Sequence, residues 1–152
     1  MKKRLSLLLL LSATSSAFSE LRVPASTAYL DPDPNGANVS KTDITDWTDP
    51  KITVSWFGDI KTAGMLDAAI VLRLPKGKES KLRLTVGDQS QETRVRGTDE
   101  AVTATFEPFS VTKAGYIRFQ LTSLNPGGKA AGDLEALVLD GAAAQDAHSN
   151  LD

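Results

Sequence analysis

From Lys51 onward the chain alternates apolar and polar residues in short runs. Ile52, Val54 and Trp56 share one face of residues 51–57, and Leu66, Ala68, Ile70, Leu72 and Leu74 share one face of residues 65–74. Leu82, Leu84 and Val86 do the same in residues 81–86, and Val102, Ala104 and Phe106 in residues 101–106, with Phe109 and Val111 following. Ile117, Phe119 and Leu121 lie opposite Tyr116, Arg118 and Gln120, while residues 91–96 form a polar, β-leaning run and residues 134–139 a last strand. Alternation with period two over short runs is the pattern of half-buried strands. The breaks carry turn residues: Pro75-Lys76-Gly77, Gly87-Asp88, Gly97-Thr98-Asp99, Ala114-Gly115 and Asn125-Pro126-Gly127-Gly128. Glycine supplies positive φ there and proline presets the turn. Residues 62–69 have some helical character, but the run Ile70 to Leu74 favours a strand. The predicted fold is all-β, an antiparallel β-sandwich of jelly-roll type.

The two ends read differently. Lys2, Lys3 and Arg4 precede a short apolar run, Leu5 to Leu11, and Ala17-Phe18-Ser19 places small residues where a signal peptidase reads. Residues 1–19 therefore read as a secretory signal peptide cleaved between Ser19 and Glu20, and the protein is expected to be secreted or periplasmic. The run is too short for a spanning helix, which needs about 20 apolar residues. Residues 20–141 form the predicted sandwich domain. Residues 142–152, small and polar, are expected to be a flexible tail or the start of a linker.

Composition narrows the chemistry. Cleavage removes three basic residues and no acidic one, leaving 133 residues with 14 basic against 19 acidic, a net charge near −5. That overall charge argues against nucleic acid and against an anionic membrane surface as partners. The chain has no cysteine, so packing without disulfides must hold an extracellular fold, and cysteine-based zinc or iron–sulfur sites are excluded. The single histidine, His148, lies in the expected tail, which removes Ser-His-Asp and multi-histidine metal chemistry.

Two stretches carry candidate binding chemistry. Asp31, Asp33 and Asn35, followed by Gly36, match the opening of a calcium loop, because alternate spacing points oxygens at one centre. The match stops there: Thr42 stands where a bidentate glutamate is needed, and two prolines stiffen the loop. A solvated Asp-Pro turn is the competing reading. Asp43, Asp46 and Asp49 surround Trp47. An exposed indole stacks on the apolar face of a sugar ring while carboxylates accept its hydroxyl hydrogens, so Trp47, Asp46 and Asp49 are the candidate carbohydrate site. The alternative places Trp47 as a buried cap on one end of the sandwich. Trp56, in phase with Val54 and Ile52, is expected in the core, with Phe57 on the opposite face. Tyr29 and Tyr116 are expected at sheet edges. Catalysis by a pair of carboxylates would require one raised pKa, and no residue set here meets the criteria for catalytic roles.

The segments Arg22 to Tyr29, Asp46-Trp47-Thr48-Asp49-Pro50 with Ile52 to Phe57, Ala63-Gly64-Met65-Leu66, Gly115 to Leu121 and Gly132 to Gly141 resemble the successive strands of the domain of unknown function 5077. The resemblance covers roughly residues 21–141. It implies an N-terminal domain of secreted bacterial proteins, followed by a further domain (unknown function 3472) beyond Asp152. The closing strands are also similar to galactose-binding-like jelly rolls and carbohydrate-binding modules. The function expected is non-catalytic recognition of a glycan or polysaccharide, with calcium as the one cofactor considered. Two rivals stand beside it: a structural or docking domain that braces a further domain, and a small glycan-active enzyme.

Overall fold

Two antiparallel sheets face one another in the computed structural model, which describes residues 20–149. The predicted leader, residues 1–19, lies outside the described residues. The strands, in chain order, are β1 (Leu21–Pro24), β2 (Tyr29–Asp31), β3 (Asn38–Val39), β4 (Ile44–Thr45), β5 (Thr53–Ile60), β6 (Gly64–Arg73) and β7 (Glu79–Val86). They continue with β8 (Gln89–Arg96), β9 (Val102–Thr105), β10 (Phe109–Val111), β11 (Gly115–Ser123), β12 (Asp133–Asp140) and β13 (His148–Ser149). The first sheet runs β10–β6–β12–β4–β3, with β9 also on β6 and β1 also on β12. The second runs β13–β5–β11–β7–β8, with β2 also on β5. Among the described residues there is no α-helix, only two 3-10 turns, Ala25–Thr27 and Ala142–Ala144.

The alternation in the sequence becomes the core. Leu66, Ala68, Ile70 and Leu72 of β6 and Leu134, Leu137 and Leu139 of β12 face Val54, Trp56, Ile60, Leu82, Leu84, Phe119 and Leu121 of the second sheet. All are nearly free of solvent. Burying a side chain of this size contributes on the order of 1.5–3 kcal/mol. In β12 the alternation slips: the register shifts between Leu134 and Ala136, so Leu134 and Leu137 both point inward. The extra residue, Glu135, turns outward to Arg73, with Nε to Oε1 at 2.7 Å. A bulge of this kind re-aims a side chain without ending the ladder.

The chain passes from the first sheet to the second through the 3-10 turn at Ala25, which is fully buried. The indole N–H of Trp56 donates to the Pro24 carbonyl at this corner, at 3.2 Å. Buried polar groups are satisfied in the same economical way. Asn125 accepts from the Lys81 N–H (3.0 Å) and donates to the hydroxyls of Ser80 (3.0 Å) and Ser123 (3.1 Å), tying the 124–132 loop to β7. Among the described residues no buried side-chain nitrogen or oxygen lacks a partner.

The expected tail is different in the structure. Ala143 and Ala144 are buried, and His148–Ser149 adds to β5 as a short strand opposite Asp59 and Gly58. Small residues read as linker composition, yet here their size lets the backbone lie close against the sheet. Gly64 shows how close, since a Cβ built on it would stand 3.0 Å from that of Ala142. Residues 150–152 lie outside the described residues.

Gly97 lies at the open end of the β7–β8 hairpin, its N–H donating to the Lys78 carbonyl at 2.7 Å. A Cβ there would lie 2.2 Å from the Pro75 carbonyl oxygen and 2.6 Å from that of Leu74, both backbone atoms that cannot move aside cheaply. Gly77, in the turn before β7 and donating its N–H to the Gly97 carbonyl at 3.1 Å, has open space around it. Gly97→Ala is therefore expected to lose several kcal/mol in urea unfolding, and Gly77→Ala only about 1 kcal/mol, from its positive φ alone. Equal losses from the two variants would show that the backbone is not crowded at Gly97.

Candidate functional site

Trp47 is fully buried, so its ring face is not available to a sugar. Its indole N–H donates to the Ile52 carbonyl at 3.0 Å. The backbone around it is held by the neighbouring loop, with Ala131 N–H donating to the Trp47 carbonyl and Gly128 N–H to that of Thr48, both at 2.9 Å. The physical reason is position. Trp47 closes the end of the sandwich, where the two sheets leave an apolar gap that a large ring fills. Asp46 and Asp49 remain exposed beside it. Asp46 takes a positive φ of 58°, and Asp49 accepts the Lys51 N–H at 2.9 Å in a local turn. The sugar platform expected at Trp47 is therefore corrected: this loop caps the core.

The calcium candidates are likewise engaged elsewhere. The Asp33 carboxylate accepts the Asn35 N–H at 2.9 Å, which closes the turn on itself, and Asp31 faces Arg118 at 3.8 Å. Asp31 sits on β2, paired with Thr53 of β5, and belongs to a sheet face rather than to the loop. Among the described residues no three His, Cys, Asp or Glu side chains gather to hold a metal.

The aromatic groups that do reach solvent lie on the outer face of the second sheet. Tyr29 of β2 is 51% exposed, and its ring meets Phe57 of β5 edge to face, with centroids 5.8 Å apart and planes at 68°. Tyr116 of β11, 68% exposed, lies two residues along from Arg118 on the same face. Arg118 stands opposite Phe57 in the ladder, donates from Nε to the Ser55 hydroxyl at 3.0 Å, and reaches across β5 towards Asp31. Asp59, opposite Tyr116, pairs with Lys61, and this partner raises the ammonium pKa above its ordinary value. Gln120 and the hydrogen-bonded pair Thr85 and Ser90 (2.8 Å) carry the face onward. Aromatic rings beside fixed donors and acceptors on a firm sheet can hold a polyhydroxylated ring: the apolar face stacks and the hydroxyls bond at its rim. The alternation that marks Phe57 as outward was legible in the sequence. Its pairing with Tyr29, 28 residues earlier, was not.

Residues 23–144 match the family model of a domain of unknown function, DUF5077. The chain belongs to this family. None of the curated proteins matches it. Among solved structures the chain is similar in fold to carbohydrate-binding modules. The family 35 module (CBM35) of Abf62 from Cellvibrio japonicus superposes with a TM-score of 0.67 at 12% identity, over 86% of this chain and 97% of that one. A CBM36 domain from a multidomain xylanase of the hindgut metagenome of Trinervitermes trinervoides gives 0.59 at 13% identity, over 81% and 98%. Xyl-CBM35, solved with a glucuronic-acid-containing disaccharide, gives 0.64 at 13% identity, over 85% and 96%. At these identities the likeness shows the jelly-roll sandwich of this DUF5077 domain.

At the loop end, the carboxyl of Asp133 is pushed above its ordinary value, first by burial and then by the charges of Asp43 and Asp46. A carboxyl raised in the folded state is neutral at no penalty in acid and costs stability as pH rises through its folded pKa. Asp133→Asn is expected to raise the melting temperature at about pH 7 and to leave it unchanged at about pH 3, where the acid is protonated in both states. Thermal melts at the two pH values check this, and a gain in acid as large as at neutrality would contradict it.

Proposed function

We propose that this DUF5077 protein is an exported, non-catalytic glycan-binding module, and that the outer face of its second sheet holds the glycan. The observation that carries the reading is exposed Tyr29 packed on half-buried Phe57, beside Arg118 and Asp31. A half-exposed tyrosine packed on a second ring is held in one orientation, so little side-chain entropy is lost when a sugar stacks on it. The sandwich fold shared with carbohydrate-binding modules supports the same reading. Export rests on the basic and apolar pattern of residues 1–19.

A second reading has its own support. A domain that braces a neighbour without a ligand of its own requires Trp47 in the core, and Trp47 is there. The two readings part on the aromatic face. Native affinity electrophoresis through a panel of soluble plant and bacterial polysaccharides is expected to show retardation by at least one polymer. Tyr29→Ala and Phe57→Ala are each expected to weaken that affinity about tenfold, or ~1.4 kcal/mol. Both tryptophans are buried, so unchanged tryptophan fluorescence reports that each variant is folded. Retardation that survives both substitutions would remove the glycan from this face, and no retardation in any polymer would favour the bracing domain.

A further inference from the structure

The net charge of the chain conceals a local one. On the same outer face, beyond Gln120, the ladder of β7 and β8 sets Glu79 opposite Arg96, Lys81 opposite Arg94 and Arg83 opposite Glu92. Lys81 and Arg94 are like charges placed directly across a ladder, an arrangement that costs stability. Glu92 is shared between Arg83, at 2.6 Å, and Lys81, at 3.6 Å, and these partners hold its carboxyl below its ordinary value. Arg94 and Arg96 have no carboxylate within ion-pair distance among the described residues. At the end of the ladder an open cleft adds Lys78 and Lys129, equally unpaired among the described residues, beside Glu79 and Arg96. Six cations thus meet two carboxylates on a protein whose overall charge is negative.

We infer that the ligand of this face is an anionic polysaccharide, with its carboxylate or sulfate groups on the β7–β8 cations and its sugar rings on Tyr29 and Phe57. This inference rests on the glycan-binding reading above and adds the class of glycan. The geometry favours such a polymer. Strand order on this face is β2–β5–β11–β7–β8, so four inter-strand steps of about 4.8 Å, roughly 19 Å, separate β2 from β8 across the sheet, and the Lys81–Arg94 pair lies a further four residues, about 14 Å, along the strands from the row of Tyr29. Several sugar units cover that span. Beyond Arg118, the side chains between the edges, Gln120, Thr122 and Thr85, are uncharged hydrogen-bonding groups suited to hydroxyls. Along the strand the cations recur every second residue, about 7 Å apart, which suits charges carried singly on successive or alternate units of a chain. The acidic remainder of the protein disfavours a more densely charged polyphosphate.

The test compares polymers that differ only in charge. Polygalacturonate is set against its methyl ester, and dextran sulfate against dextran, with the purified protein in low salt. Tighter binding to either anionic polymer than to its neutral parent is expected, and which of the two is preferred identifies carboxylate or sulfate. The double variant Arg94→Gln with Arg96→Gln is expected to bind the preferred anionic polymer about tenfold more weakly and with a flatter salt dependence. Its melting temperature is not expected to fall, because Arg94 and Arg96 hold no ion pair and Arg94 faces Lys81. Equal affinity for charged and neutral polymers, with loss on Tyr29→Ala, would overturn the anionic assignment and leave the glycan-binding reading standing. Binding of duplex DNA or phosphatidylserine vesicles as tight as that of the polysaccharide, lost in the same double variant, would overturn it by showing a surface that reads charge alone. Failure of both anionic polymers to bind, with retardation by a neutral polymer of the panel above, would overturn the anionic assignment alone, and failure of every polymer, the panel included, would overturn both.

Discussion

The apolar layer between the two sheets is the contact on which everything else depends. The chain has no cysteine, so no covalent staple supports that layer. The strands β5, β6, β7 and β11 therefore commit alternate side chains to it, and the few polar groups drawn inside are paired within the protein. Ser80 and Ser123 are met by Asn125, and the Trp56 N–H by the Pro24 carbonyl. An unmet polar group at these depths would cost about 1–3 kcal/mol, comparable with a whole buried side chain. Trp47 belongs to the same economy. It closes the end of the layer, and its N–H is satisfied by a carbonyl five residues away.

That commitment decides where recognition can occur. Inward residues are taken by the core, so ligand chemistry has to come from the outward set or from loops. On the second sheet the outward set is ordered: rings at β2 and β5, Tyr116 and Arg118 at one end of β11 and the neutral Gln120 and Thr122 at the other, cations at β7 and β8. The order is a property of pairing rather than of any one strand. Tyr29 and Phe57 meet because β2 lies against β5, and Arg118 reaches towards Asp31 across Ser55, whose hydroxyl accepts from its Nε. Net charge averages this arrangement away. An acidic chain carries a basic edge because most of its acids lie in loops and on the first sheet, Asp31, Asp59, Glu79 and Glu92 excepted, while Lys81, Arg83, Arg94 and Arg96 fall on one ladder.

The alternating runs fixed the fold class and most of the strands, because period two is a local consequence of the pleat and needs no knowledge of partners. Ile52, Val54 and Trp56 are in the core as their spacing requires, and Phe57 is on the other face. What local pattern could not supply were the long-range decisions. The bulge at Glu135 breaks the alternation because its neighbours across the ladder demand Leu134 and Leu137 together. Residues 142–149 carry linker composition, yet they pack because β5 has an unpaired edge to receive them. Trp47 among three aspartates looks the same in sequence whether it stacks on a sugar or fills the end of a core. The gap between the sheets decided that it fills the core, and strand order alone decided that the exposed rings and the unpaired cations share one face.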